Sequence, residues 1–454
     1  MLQRMTKKSD AGSGHTKSPT HSARLWLRSL FRPLSRAGTR FWISFLAACV
    51  IVYSIEALFE RFVESEEIPD LVQRIFHLTG FYQSFVEQVH FPYPRYTAVV
   101  LIDPRREPEI PDNHHLCDQR KLVADLVRRV QAASPAVIVV DKYFGTTQRC
   151  ARETDDLRNA LDSVTRDTVV VIGRRVDLTD APVSTKDGDR YFLTPSVNFG
   201  IQNPRLQEAV VNIDPDTRKI PLRFEVYESR EQAEKSTGTQ WRNSLALQAS
   251  LAHPWRLLQR NRRIASFIQH NKNPFASFLK EDDFEPILAG RILCGEAPAN
   301  TVEACPSGPL AENLRQQLAG RVVLIGEIDP DLDTHPTVVG QMSGVLLQAN
   351  FVEALLDDRV FRPVPSLDYI FGFLILMGLE LSLIWLRGRV LVFLAFFGLG
   401  ALSFFIIYLF AQLSNVYLDP VAVGTIPVVT KVLSAFFGRA EKVAEKHNRP
   451  SRRK

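Results

Sequence analysis

The chain has 454 residues, enough for two or three domains, and is 45% hydrophobic. Its formal charge of +5 is local in origin: residues 1–40 hold nine Lys/Arg and one acid, residues 439–454 hold seven and two, and Arg387 and Arg389 form a pair. The remainder carries 37 basic against 47 acidic residues, so basic charge gathers beside hydrophobic segments, where membrane topology accounts for it and no nucleic-acid partner is called for.

Residues 1–40 read as a basic, largely disordered cytoplasmic N-terminus, in which Ala23 to Arg40 suits an anionic membrane surface. Residues 41–59 form the first transmembrane candidate, with Glu56 its one charge. A secretory signal peptide is the rival reading, disfavoured by the long basic region before it and the lack of a small-x-small cleavage site. Glu60 to Val89 has the apolar spacing of an amphipathic helix, which Pro92 and Pro94 end.

Residues 60–366 are expected to be an extracytoplasmic domain. Four continuous apolar runs stand out, AVVLID (Ala98 to Asp103), AVIVVD (Ala136 to Asp141), TVVVIG (Thr168 to Gly173) and RVVLIG (Arg321 to Gly326). Runs of this kind read as strands buried on both faces of a parallel sheet. Between them the spacing predicts helices over Asp118 to Ala132 and Asp155 to Val164. Val210 to Asp214 and Ile220 to Tyr227 flank a Pro-Asp-Thr turn and read as a hairpin. Ser244 to Leu251, Trp255 to Phe267 and Gly344 to Leu356 are predicted helices, and Asn271 to Asp283 reads as a loop.

Three apolar segments follow, at 367–386, 390–413 and 421–437, before a basic tail at 438–454. The first two have about the ~20 residues a bilayer needs; the third is interrupted by Pro427 and Lys431. The positions of Lys and Arg place both termini in the cytoplasm and the large domain outside. The expected fold class is therefore an α/β extracytoplasmic domain with a mostly parallel sheet, plus four transmembrane helices.

In a parallel α/β sheet, ligands bind beyond the carboxyl ends of the strands. That rule selects Asp103, Asp141, Lys142, Asp331, Asp333 and His335 as candidate ligand-binding residues, carboxylates suited to a cation or a cationic ligand. The plainer alternative is that strand-terminal Asp residues cap the next turn and that Asp141 pairs with Lys142 or Arg174. No metal motif, nucleophile elbow or phosphate-cradling loop occurs in the sequence, and no catalytic residue, cofactor or metal is assigned. Cys117, Cys150, Cys294 and Cys305 are candidates for disulfides or are four unrelated small residues; Cys49 lies in the first apolar segment.

The order of motifs resembles the CHASE type-2 sensor domain, an extracytoplasmic module of bacterial receptors. The resemblance is carried by VVLIDP (Val99 to Pro104), VIVVDKYF (Val137 to Phe144) and VVVIG (Val169 to Gly173). Also matching are NFG (Asn198 to Gly200), SLALQA (Ser244 to Ala249), GRVVLIG (Gly320 to Gly326) and GVLLQANFVEALL (Gly344 to Leu356). One apolar segment before the domain and three after it complete the likeness, which covers residues 60–437. Gln348 stands where many members have His, and Asp333 to Thr337 replaces a Thr-Pro pair. The resemblance implies a bacterial inner-membrane sensor or accessory signalling subunit that binds an unidentified ligand or envelope partner. With only about 17 residues after the last segment, output is expected from a separate effector protein, with a homo-oligomer left open. A metal-dependent envelope hydrolase using the Asp/His cluster, or a structural membrane subunit, is the alternative.

Overall fold

The structure is a computed structural model, which describes residues 42–51, 93–107, 116–294 and 309–385 with internal breaks, the longest at 255–266, and scattered positions beyond. The expectations for residues 1–40, for Glu60 to Val89 and for most of 390–413 lie outside the described residues, as do Trp255 to Ala265 and Asn198 to Gly200. The chain divides into two compact units, one built on residues 58–364 and 407–418, the other on the N-terminal segment and the remaining C-terminal segments.

The larger unit begins with β1 (Thr97–Ile102), α1 (Leu116–Gln131) and β2 (Val137–Asp141). Then come α2 (Ala151–Asp162) and β3 (Val169–Arg174). β4 (Val183–Thr185), β5 (Gly188–Phe192), β6 (Leu206–Val210), β7 (Arg223–Tyr227), α3 (Arg230–Lys235) and β8 (Trp241–Asn243) follow. The rest of the unit is α4 (Leu245–Ala252), β9 (Phe275–Ala276), β10 (Ile287–Leu288), α5 (Ala289–Cys294), α6 (Glu312–Leu318) and β11 (Val322–Glu327). β12 (Thr334–Thr337), β13 (Gly340–Ser343), α7 (Gly344–Leu356) and β14 (Val360–Pro363) lead to α8 (Pro365–Trp385) of the smaller unit, and β15 (Val416–Tyr417) pairs with β14.

The central sheet has six strands, all parallel, in the order β10-β1-β11-β2-β3-β6. The four apolar runs are its middle strands, buried on both faces because helices cover both. Side chains alternate strictly between the faces. Val100, Ile102, Ile138, Val140, Val323 and Ile325 pack with α1, α2, α5 and α6. Val99, Leu101, Val137, Val139, Val171, Val322 and Leu324 pack with α4 and α7 on the opposite face.

The expected hairpin over Val210 to Tyr227 does not form. β6 instead adds to the edge of the parallel sheet beside β3, with Gly173 opposite Ala209. β7 belongs to a separate four-stranded sheet, β4-β5-β7-β8. Leu206 and Ala209 are buried by the main sheet and Val210 against Val176, Leu193 and Val226, and that burial outweighs the local turn preference of Pro-Asp-Thr. The segment Asn271 to Asp283 likewise contains β9, which pairs with β14.

Cys117, in the first turn of α1, is joined to Cys150, just before α2, across a sequence separation of 33. Cys294 is also disulfide-bonded, and its partner lies outside the described residues, as does Cys305. Arg120, buried one turn into α1, reaches Thr154 Oγ1 on α2, so a covalent and a polar tie hold the same two helices together.

In the smaller unit, residues 42–51 are helical and pack against α8. Trp42 stacks on Phe373 at 5.8 Å, Phe45 meets the same ring edge-on at 5.2 Å, and Ile426 is buried against Phe45 and Tyr369. Among the described residues no helix is long and apolar enough to cross a membrane.

Candidate functional site

The site arises from the order of the strands. β1 and β2 each lead into a helix on one face, α1 and α2, whereas β11, inserted between them, leads by way of β12 and β13 into α7 on the other. The chain thus leaves adjacent strands towards opposite faces, the arrangement in which parallel α/β proteins hold ligands in a crevice beyond the carboxyl ends of the strands.

Alternation decides what each strand end offers. Asp141 follows Val137 and Val139 onto the face covered by α4 and α7. Gly326 is its register partner on β11, and Gly173 stands at the corresponding end of β3. The Asp141 carboxyl therefore projects between two positions without side chains. Val345, in the first turn of α7, fills the space at Gly326, where an added Cβ would lie 2.6 Å from its Cγ2. Val211 does the same at Gly173. The result is one acidic side chain between two aliphatic walls, beneath the N-terminal turns of α7.

Asp333 comes to this place from the loop after β11. Its backbone oxygen accepts the Gly344 N–H at 3.1 Å, and its carboxylate lies against Gly344 itself, where any side chain would collide with it. His335 Nε2 lies 3.0 Å from Asp333 Oδ1. Burial, and after it the negative charge of Asp333, raises the Asp141 pKa from 3.8 to about 7; Lys142 pulls weakly the other way. Among the described residues the Asp141 carboxyl has no hydrogen-bond partner.

Lys142, the next residue, points to the other face. There its ammonium is ion-paired with Glu327 Oε2 and donates to Gln119 Oε1 of α1, while Gln119 Nε2 donates to Glu327 at 3.1 Å. The Lys142 and Glu327 side chains are 11% and 9% exposed, so this pair is nearly dry. Burial lowers the Lys142 pKa, against which the carboxylate of Glu327 acts. The sequence pairing of Asp141 with Lys142 is thus replaced by a Lys142–Glu327 pair across the strands. Its signal was present in β11, where Val323, Ile325 and Glu327 share one face.

Asp103 does not join the cluster. Its Oδ1 accepts the N–H groups of Arg105 at 3.1 Å and Arg106 at 3.3 Å, and its Oδ2 pairs with the Arg106 side chain at 3.2 Å. It caps the turn after β1, with most of its accepting capacity taken by the two residues that follow. Asp331 lies outside the described residues. Among the described residues no group of three His, Cys, Asp or Glu side chains is placed to hold a metal ion.

Two further buried polar groups lie at the start of α7: Ser343, which the sequence did not single out, and Gln348, which it marked only as a departure from the family pattern. Ser343, the residue preceding α7, has a buried hydroxyl without a partner. Gln348, one turn into α7 and 1% exposed, donates its amide nitrogen to Val211 O at 3.0 Å and leaves its buried Oε1 without a donor. What the arrangement can do is therefore limited and specific: hold a proton, or accept hydrogen bonds from something bound.

At the opposite end of the sheet, Glu353 on the last turns of α7 accepts the N–H groups of Tyr96 at 2.6 Å and Thr97 at 2.7 Å, and the Thr97 hydroxyl at 3.0 Å. This buried carboxylate ties the point where the chain enters β1 to the helix that leads out of the domain. α7 therefore touches the crevice with its first turn and the domain's entry strand with its last.

A family model described as the CHASE2 domain matches residues 46–384, the bulk of the chain. No curated protein and no solved structure matches. The match takes in the six-stranded sheet, α7 and the crevice between them, and the chain belongs to the CHASE2 domain family of extracellular sensor domains associated with signal transduction.

Proposed function

We propose that the protein is a membrane-anchored sensor whose extracytoplasmic domain takes its input at the crevice around Asp141 and Asp333, and passes it through α7 to a separate effector. The observation that carries this reading is Asp141 itself: a carboxyl without a hydrogen-bond partner among the described residues, at a strand-order switch under the first turn of a wholly buried helix. Folding gains nothing from such a group, so its use lies in what it meets there. A ligand acts only by binding two domain states unequally. Because α7 also carries Glu353 at its other end, a shift of this helix at the crevice would alter the grip on β1 and the start of the path into α8.

The membrane anchoring rests on the sequence and on the smaller unit's surface. Ten of the fourteen large hydrophobic side chains exposed among the described residues, among them Leu46, Val50, Leu374 and Val432, belong to it. Outward apolar side chains on packed helices suit hydrocarbon rather than water. The disulfide between Cys117 and Cys150 fits an oxidising compartment for the large domain. Four spans, with both termini in the cytoplasm, follow from the Lys/Arg distribution.

The test is mass spectrometry of what co-purifies with the full-length protein in mild detergent. A stoichiometric signalling enzyme is the expected result; recovery of this chain alone would remove the accessory-subunit reading.

A further inference from the structure

The crevice has a one-sided chemistry. On the α7 face of the strand ends, the buried side-chain atoms without partners among the described residues are oxygens, the Ser343 hydroxyl and Gln348 Oε1, and the Asp141 carboxyl makes no hydrogen bond among these residues either. Asp333 adds a second carboxylate, which keeps accepting capacity beyond its contact with His335. The orientation of Gln348 is settled by its neighbour, since Val211 O can only accept, so the amide nitrogen must face it and the oxygen is what remains. Neither of the basic residues at the ends of β2 and β3 shares this face. Lys142 is turned away and spent on Glu327, and Arg174 at the end of β3 is paired with Glu208 at 2.7 Å. The walls, Val345 and Val211, are aliphatic.

Gln348 and Ser343 matter because they are independent of the acidic pair. An acidic pair alone is commonly a solvated loop. Here Gln348 is 1% exposed and Ser343 5% exposed, and each keeps a buried polar oxygen without a partner, which is costly unless something supplies a donor. Both lie along the first turns of α7. Ser343 adjoins Gly344, against which the Asp333 carboxylate rests, and Gln348 follows Val345, which sits over Gly326 beside Asp141. Val345 and Val211 fill the space over Gly326 and Gly173, so any occupant is small.

We propose that the crevice binds a small organic ammonium group, with Asp141 and Asp333 neutralising its charge and Gln348 Oε1 and Ser343 Oγ accepting its N–H bonds. This rests on the reading of the crevice as the sensor's input site and names the ligand class for it. An ammonium carries three donors and a full positive charge on a compact head, which matches two carboxylates and two neutral oxygens; a carboxylate or phosphate would meet the like charge of Asp333 and find donors only in the Ser343 hydroxyl and a protonated Asp141.

The experiment is isothermal titration calorimetry on the full-length protein in mild detergent. The probes are ethanolamine and putrescine, their uncharged counterparts ethylene glycol and 1,4-butanediol, sodium acetate, and calcium and magnesium chloride. Saturable binding of an amine, with none of its diol, is expected. Asp141→Asn and Gln348→Met should each weaken that binding by about tenfold or more, the worth of one charge-assisted or buried hydrogen bond. Gln348→Met keeps all charges and close to the same volume, so it serves if Asp141→Asn disturbs the fold. Absence of amine binding, or amine binding unchanged in both variants, overturns the proposal. Binding of calcium, magnesium or acetate that Asp141→Asn abolishes also overturns the ammonium assignment, yet leaves the crevice as the input site. If the variants match the wild type towards every probe and in the output of the co-purified effector, the input-site reading fails with it.

Discussion

Replacing Asp141 by Asn is expected to stabilise the protein, by an amount that grows as pH rises from about 4 to about 7. In the fold the Asp141 pKa stands at about 7, raised by burial first and by Asp333 second, against 3.8 in the unfolded chain. Between these values the folded state holds a proton that the unfolded state has released, so stability falls as pH rises from about 4 to about 7 and stays low above it. A shift of about three units corresponds to about 4 kcal/mol, an upper figure for a half-buried group beside another carboxylate. Asn has the shape of the protonated acid and no charge. At pH 4 the wild type and Asp141→Asn should therefore unfold at nearly the same temperature. At pH 8 the variant should gain several degrees, since about 2 °C accompanies each kcal/mol in a domain of this size. The assay is thermal unfolding of the full-length chain in detergent, followed by intrinsic tryptophan fluorescence at both pH values. A variant less stable than wild type at pH 8, or equally shifted at both, would refute the reasoning. Asp141 would then be an ionised residue with a satisfied partner. Asp333→Asn gives an internal check: it should move the wild-type transition to lower pH without abolishing it, because burial remains.

The buried pair on the other face should behave in the opposite way. Lys142→Met leaves Glu327 charged and almost dry, with Gln119 as its remaining donor, and should cost about 3–5 kcal/mol; adding Glu327→Leu should restore most of it, and equal losses in single and double variants would show the pair to be solvated. Glu353→Leu removes the acceptor of two backbone N–H groups and one hydroxyl at the start of β1, and should cost about 2–5 kcal/mol by thermal unfolding. Glu353→Gln keeps one oxygen there and should cost much less; a Gln variant as damaged as the Leu variant would mean that charge, rather than acceptance, holds the strand.

The ends of the elements show how far local pattern reaches. α7 runs from Gly344 to Leu356, the bounds its apolar run and the residues flanking it predict, and the four middle strands fall within one residue of their apolar runs. α2 starts at Ala151 rather than Asp155, since Cys150 is anchored to Cys117 and the Thr154 hydroxyl returns to Cys150 O at 2.6 Å. Neither cause is visible in a hydrophobic period. β6 was misassigned because a strand's partner is chosen by available sheet edge and burial, and a turn dipeptide records only the local term.

The candidate residues divide in the same way. Asp103, Asp141 and Lys142 look alike in sequence, each closing or following an apolar run, yet they do three different things. Asp103 folds back on its own turn, a contact within three residues that local chemistry anticipates. Asp141 and Lys142 part because a strand alternates, which the sequence determines; what each then meets depends on which helix covers which face.

By itself the sequence determined that this chain is an α/β domain flanked by apolar segments, that its strands are parallel and buried on both faces, and that acids gather at their carboxyl ends. These follow from short-range rules: two-residue alternation, continuous apolar runs and the residues at which they stop. Only the tertiary structure decided that β11, some 180 residues after β2, lies between β1 and β2. That insertion brings Glu327 to Lys142, sets Gly326 beside Asp141 and lowers α7 over the crevice. No local rule encodes it, because the energy that selects it is apolar area buried between segments far apart in the chain.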